Sequence, residues 1–167
     1  LAAQHLAPVV QAEPAWWGAG LELATIYDQM GSFSASYQTL RALYRLHPEV
    51  DAIRVRWVVI ASQALSPSDP VAARELLDEI EGFSDDAISK HPEAEAALLV
   101  SRARCLGVMQ RTDALRQVVL QLLAVADAPA IVGVCADLNR RHRLGLEPKV
   151  AEATVEDPLA TAVAEAE

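Results

Sequence analysis

Aromatic side chains are scarce in this chain, at 5% of 167 residues. Sheet sandwiches lean on aromatic and β-branched strands. Here Ala, Leu and Val carry the apolar mass, which suits helices packed closely through small contact residues. Cysteine is scarcer still: Cys105 and Cys135 stand alone, with no CxxC pair and no disulfide framework. Both read as small buried apolar groups; a single bridge between them is the alternative. Cations are outnumbered, 14 Lys and Arg against 23 Asp and Glu, for a net charge of −9. Nucleic acid is bound through Lys and Arg, and so is an anionic membrane, so neither is an expected partner. The acidity serves solubility or marks a basic partner. Long apolar runs are missing too. The most apolar stretch, residues 118–138, is broken by Gln121, Asp127, Pro129 and Asp137, whereas a membrane helix needs roughly 18 apolar residues in a row. No charged start leads into an apolar run, so no signal peptide is read. The chain opens on Leu1 rather than Met. The expectation is a fragment or a processed form, cytoplasmic, or periplasmic if processed.

What is present is helical text punctuated by proline and glycine. The pattern predicts helices over Leu1–Gln11 (interrupted by Pro8), Ala15–Met30, Phe33–Leu46, Glu49–Leu65, Pro70–Glu81, Pro92–Val108, Thr112–Ala126 and Pro129–Leu144. Asp69 before Pro70 is a helix start: its carboxylate accepts from a first-turn amide, and the proline lacks an N–H where none is needed. Gly82 and Gly145 are placed to end helices in a left-handed conformation. Leu76, Leu77 and Ile80 make one apolar stripe, and Leu115, Val118, Val119, Leu122 and Leu123 another. Val55, Trp57 and Val59 alternate as a strand would, but inside a longer helical pattern. Residues 1–146 read as one helical domain. Residues 147–167 are rich in Ala and Glu, and read as a capping helix or a flexible tail with short helices at Lys149–Val155 and Leu159–Glu165.

Repeats decide the architecture of such a chain. Pro14 and Pro48 lie 34 residues apart. Through the second proline runs YDQMGSFSASYQTLRALYRLHPE, from Tyr27 to Glu49. Ala24 is a small residue one turn before Tyr27, Gly31 marks a turn and Phe33 opens the next helix. Ser36 holds a small contact position, Leu40 and Leu43 an inner face, and Pro48 a stop. This pattern resembles a tetratricopeptide repeat. It differs in two places: the family often carries Trp where Gly20 stands, with Trp16 and Trp17 about a turn earlier, and Leu43 is larger than the usual Ala. HPEVDA at His47–Ala52 echoes HPEAEA at His91–Ala96, 44 residues on. A second unit then pairs Glu49–Leu65 with Pro70–Glu81, where Ala73, Leu77 and Ile80 mimic Ser36, Leu40 and Leu43. A third takes Ala114 as its small residue. Counting back from Pro14, Leu6 and Val9 match Leu40 and Leu43, so the chain opens in mid-repeat and an upstream truncation is expected. The resemblance implies an all-α fold of antiparallel helix pairs stacked into a right-handed superhelix.

No catalytic constellation is read, and no cofactor or metal is expected. There is no Gly-rich phosphate loop, no GxSxG and no HExxH among His5, His47, His91 and His142. His47 and His91 each precede a proline at a helix junction, where capping or exposure fits better than metal binding. Asp85 and Asp86 read as a helix start or a solvated loop. NRRHR, Asn139–Arg143, places cations at a helix C-terminus, where they favour the dipole; docking of an acidic partner or of the acidic tail is the alternative. At least one of Trp16 and Trp17 is expected to be buried between units; an exposed one would be a candidate partner anchor.

In the family, the first helices of the units line a concave groove that holds a peptide or a partner helix. Carried over, the groove is Leu21, Thr25, Asp28 and Gln29, then Ala52, Val55, Val59, Ser62 and Gln63, then Leu99, Ala103 and Leu106. It is mostly apolar. Leu21, Thr25, Val55 and Val59 stand where carboxylate-clamping members carry Lys, Arg and Asn, so an apolar helix or segment is the expected ligand. The leading expectation is a noncatalytic scaffold or adaptor for another protein. Alternatives are a small acidic chaperone for a secreted or membrane protein, the helical arm of a larger enzyme or regulator, and self-association through the opening half-unit into a homo-oligomer. The Ala-, Leu- and Arg-rich composition points to a bacterial source.

Overall fold

The computed structural model describes residues 2–13, 15–83, 92–125 and 129–146. Asp85, Asp86, His91, Pro14 and the expected helices of the 147–167 segment lie outside them. The described residues form eight α-helices and no strand: α1 Ala2–Ala12, α2 Trp17–Gln29, α3 Phe33–Leu46, α4 Asp51–Gln63, α5 Pro70–Glu81, α6 Pro92–Val108, α7 Thr112–Val125 and α8 Pro129–His142. None is long and apolar enough to cross a membrane. Consecutive helices pack on one another from α1 to α5, α6 on α7, and α7 on α8. In addition α4 and α5 both pack on α6, and α6 also meets α8.

The strongest local signals set boundaries to the residue. α5 starts where expected because Asp69 Oδ1 accepts from the Ala72 amide at 3.0 Å, with Pro70 in the first turn. Between α2 and α3 the chain reverses through Gly31 at φ +69°. There Ser32 N donates to Tyr27 O at 2.8 Å and Gly31 N to Asp28 O at 3.0 Å, which satisfies carbonyls that a helix end leaves open. Gln110 repeats this turn between α6 and α7 at φ +57°, with Arg111 N on Leu106 O at 2.9 Å. α8 ends likewise on Arg143, at φ +51°. Gly145 is left-handed as expected, at φ +64°. Asn139 then pins the following segment: its amide donates to Leu146 O at 3.0 Å and accepts from Leu146 N at 3.2 Å. Gly82 departs from expectation. It caps α5 in the right-handed region at φ −80°, because its amide still bonds carbonyls of the last turn.

Burial repeats with the helix pairs. Ala24, Val58 and Ala103 are fully enclosed in α2, α4 and α6. Ser36, Ala73 and Leu115 are enclosed in α3, α5 and α7, followed by Leu40, Leu77 and Val119, then by Leu43, Ile80 and Leu122. The small residue of the third pair is therefore not Ala114, which is exposed. Leu115 takes that place, because it stands five residues after Gln110 as Ser36 does after Gly31. In α1, Leu6 is half-buried and Val9 exposed, and only Ala3 is enclosed, so these two do not occupy places like those of Leu40 and Leu43.

Two departures from the repeat pattern explain each other. A Cβ at Gly20 would stand 2.7 Å from Leu43 Cδ2. The larger residue at 43 fills the room that the absent side chain at 20 leaves. Trp16 and Trp17 do not fill it: they are 63% and 39% exposed, which overturns the expectation that one is buried. Both cysteines are enclosed and free. One apolar cluster gathers α2, α3 and α4 around Ala24, Leu40, Leu43, Ile53 and Ile60. A larger one runs from Val55 and Val58 through α5, α6, α7 and α8. Trp57 packs against both.

Candidate functional site

α4 is apolar nearly all round, with Ile53, Val55, Val58, Ile60 and Ala61 enclosed. One of its faces looks into a cavity of about 520 Å³, which has Ala52, Val55, Arg56, Val59 and Gln63 on α4, Asp28 on α2, Phe33 and Leu40 on α3, and Ala94 and Ala97 on α6. The alanines keep the walls apart, and the surface they leave is methyl and isopropyl. Phe33 is 61% exposed on this wall. A cavity of this size and lining takes apolar side chains.

The structure brings together Asp28, Ala52, Val55, Val59 and Gln63 of the expected groove. Arg56 was not among the expected residues, yet it builds the wall between α2 and α4. Its guanidinium donates to Asp28 Oδ2 at 2.9 Å, to Leu21 O at 3.2 Å and to Thr25 Oγ1. Thr25 Oγ1 in turn donates to Leu21 O at 2.9 Å. Thr25 and the Leu21 carbonyl thus hold two helices together, and neither Leu21 nor Thr25 lines the cavity. Asp28 Oδ1 is buried without a partner among the described residues. The sequence did carry a signal for Arg56: it lies three residues before Val59 and so shares its face, a lone cation among groove residues.

Other assignments are corrected. Ser62 is buried in the seam between α4 and α6, with its Oγ 3.0 Å from Ser101 Oγ and 2.9 Å from Val59 O. Ala103 is fully enclosed, Leu106 is buried, and Leu99 packs on the larger cluster. Gln29 is exposed outside the cavity. On α6 the cavity residues are Ala94 and Ala97 instead. The cause is helical phase. The HPE echo sets α6 against α4 at an offset of 44, whereas the enclosed Val58 and Ala103 are 45 apart. One residue turns a helix by about 100°, enough to move Ala103 from groove to core. With that correction Arg104 follows Ala103 as Thr25 follows Ala24 and Val59 follows Val58. Arg104 is half-buried, and desolvation pulls its guanidinium below arginine's ordinary value, against the influence of Cys105.

Elsewhere, Arg140, Arg141 and His142 occupy the last turn of α8, with Arg141 2.8 Å from Asp137. The His142 ring lies where a Cβ at Gly107 would stand, 2.8 Å from Nε2, so α8 meets α6 through a glycine. His47 caps α3 with its backbone and sits 3.8 Å from Glu49. Among the described residues no group of His, Cys, Asp and Glu is arranged to hold a metal. Burial pushes the Cys105 thiol up to about 11 and raises Cys135 as well, which keeps both as thiols rather than nucleophilic thiolates at neutral pH.

No protein-family model matches this chain, and no curated protein and no solved structure matches it.

Proposed function

We propose that this protein is a noncatalytic interaction module of tetratricopeptide-like helix pairs, and that it seats an apolar helix or extended segment of another protein in the groove between α2, α4 and α6. One observation carries the reading: a cavity of about 520 Å³ walled by Ala52, Val55, Val59, Ala94 and Ala97, with Phe33 exposed on its α3 side. The recurrence of enclosed residues at matching places in three helix pairs supports the repeat, and the packing of α6 on both α4 and α8 supports stacking of first helices. Among the described residues of the cavity the one cation, Arg56, is already bound to Asp28, Thr25 and Leu21. That favours apolar contacts over a terminal carboxylate.

Selection from a displayed peptide library against the full chain tests this. Selected peptides should carry apolar residues at helical or alternating spacing, and Val59→Arg should lose them while Glu22→Arg keeps them. Enrichment of terminal carboxylates, or retention by Val59→Arg, would refute the groove as the binding surface.

A further inference from the structure

α4 has a second working face. On the side away from the groove, Trp57, Ala61 and Ala64 look between α3 and α5 into a cleft of about 630 Å³. Its floor is aromatic. Trp57 stacks on Tyr44 with centroids 5.7 Å apart and 13° between planes, and it meets Tyr37 at 5.2 Å and 49°. Scarce as aromatics are, three of them gather here, and all three remain partly exposed.

The α5 wall of the cleft is acidic, with Asp69, Glu75 and Glu79. Two of these are engaged. Asp69 caps the Ala72 amide. Glu79 accepts from Arg54 Nε at 2.8 Å. Glu75 is exposed and has no partner among the described residues. Aromatic faces are electron-rich and attract cations, most of all tryptophan. A carboxylate beside such a face adds a charge-assisted hydrogen bond. The fold already holds one guanidinium in this manner: Arg54 lies 4.4 Å from the Phe83 ring centroid and bonds Glu79. That arrangement is internal, whereas Trp57, partly exposed, and Glu75 line the open cleft, where no guanidinium of the described residues lies over the Trp57 ring and Arg41 stands on the opposite wall.

We propose that this cleft receives the guanidinium or ammonium of a basic side chain on a protein partner, with Trp57 and the two tyrosines as the platform and Glu75 as the counter-charge. The net charge of −9 draws such a partner in from a distance. Arg41, on the α3 wall, sets a limit on the ligand. It repels a run of cations and suits one basic residue with a neutral or acidic neighbour. The site lies across α4 from the apolar groove and does not depend on that groove's function.

The test uses the full chain and follows the Trp57 indole N–H signal by NMR. The probes are N-acetyl-arginine amide, its neutral isostere N-acetyl-citrulline amide, and tetramethylammonium. The arginine probe should give a saturable shift, with the citrulline probe weaker by about fivefold or more. Glu75→Gln should weaken the arginine probe by about threefold. Asp78→Asn, on the same helix but outside the cleft, should leave it unchanged. Absence of a saturable shift, equal binding of the citrulline probe, or equal effects of the two variants would overturn the proposal. So would tetramethylammonium binding about tenfold tighter than the arginine probe, which would assign the cleft to small quaternary ammonium ions.

Discussion

Ser36 is enclosed in α3, and its hydroxyl has no hydrogen-bond partner among the described residues. An orphaned hydroxyl costs more than an alanine in the same place, so Ser36→Ala should raise the unfolding free energy by about 1 kcal/mol in urea titrations; a loss would mean that the hydroxyl has a partner. Gly20 and Leu43 are tied by volume. Adding a Cβ 2.7 Å from Leu43 Cδ2 forces an enclosed side chain to move, so Gly20→Ala should cost about 1–3 kcal/mol. In the Leu43→Ala background the same change should cost less, a coupling that a double-mutant cycle measures. Cys105 links stability to alkaline pH. Its folded pKa is raised from 9.0 to about 11. Its contribution is therefore full below about pH 9 and is lost as pH rises toward 11. Neither the Gly20–Leu43 exchange nor the orphaned hydroxyl was legible in the sequence, because each depends on which atoms face each other across two helices.

At the level of helices and turns, legibility followed the strength of local signals. α3, α5 and α6 begin and end as read. Proline, capping aspartate and turn glycine act within a few residues, and tertiary packing has little to override. Turn geometry also persists where its usual residue is gone. Gln110 adopts the left-handed conformation that Gly31 adopts at the matching place, so Gln110→Gly should stabilise the protein by about 0.5–1 kcal/mol, checked by thermal and urea unfolding. What the sequence could not give was the phase of α6. The HPE echo marks a junction between helices. The face that α6 turns inward is decided by its packing on α4, α5, α7 and α8. The role of Arg56 is hidden in the sequence for a related reason: its three acceptors lie on α2, distant along the chain. Arg56→Ala should cost about 1 kcal/mol, discounted because the pair with Asp28 is partly exposed. Hydrogen exchange should quicken in α2 more than in α7.

Across the whole molecule, α4 is the organising element. Its Trp57 packs against both apolar clusters, its Val55 and Val59 face the apolar groove, and its opposite side floors the aromatic cleft. Of the residues read on one face of α4, Ala52, Val55, Val59 and Gln63 line the cavity of about 520 Å³. Those read on α6 do not, since a one-residue change of phase turns them toward the core. The most direct measurement is amide chemical-shift mapping of the full chain with a peptide taken from the display selection. The largest changes should fall on Ala52, Val55, Val59, Ala94 and Ala97 and vanish in Val59→Arg. Changes centred on α7 or on Trp16 and Trp17, or surviving unchanged in Val59→Arg, would contradict the groove as the binding surface.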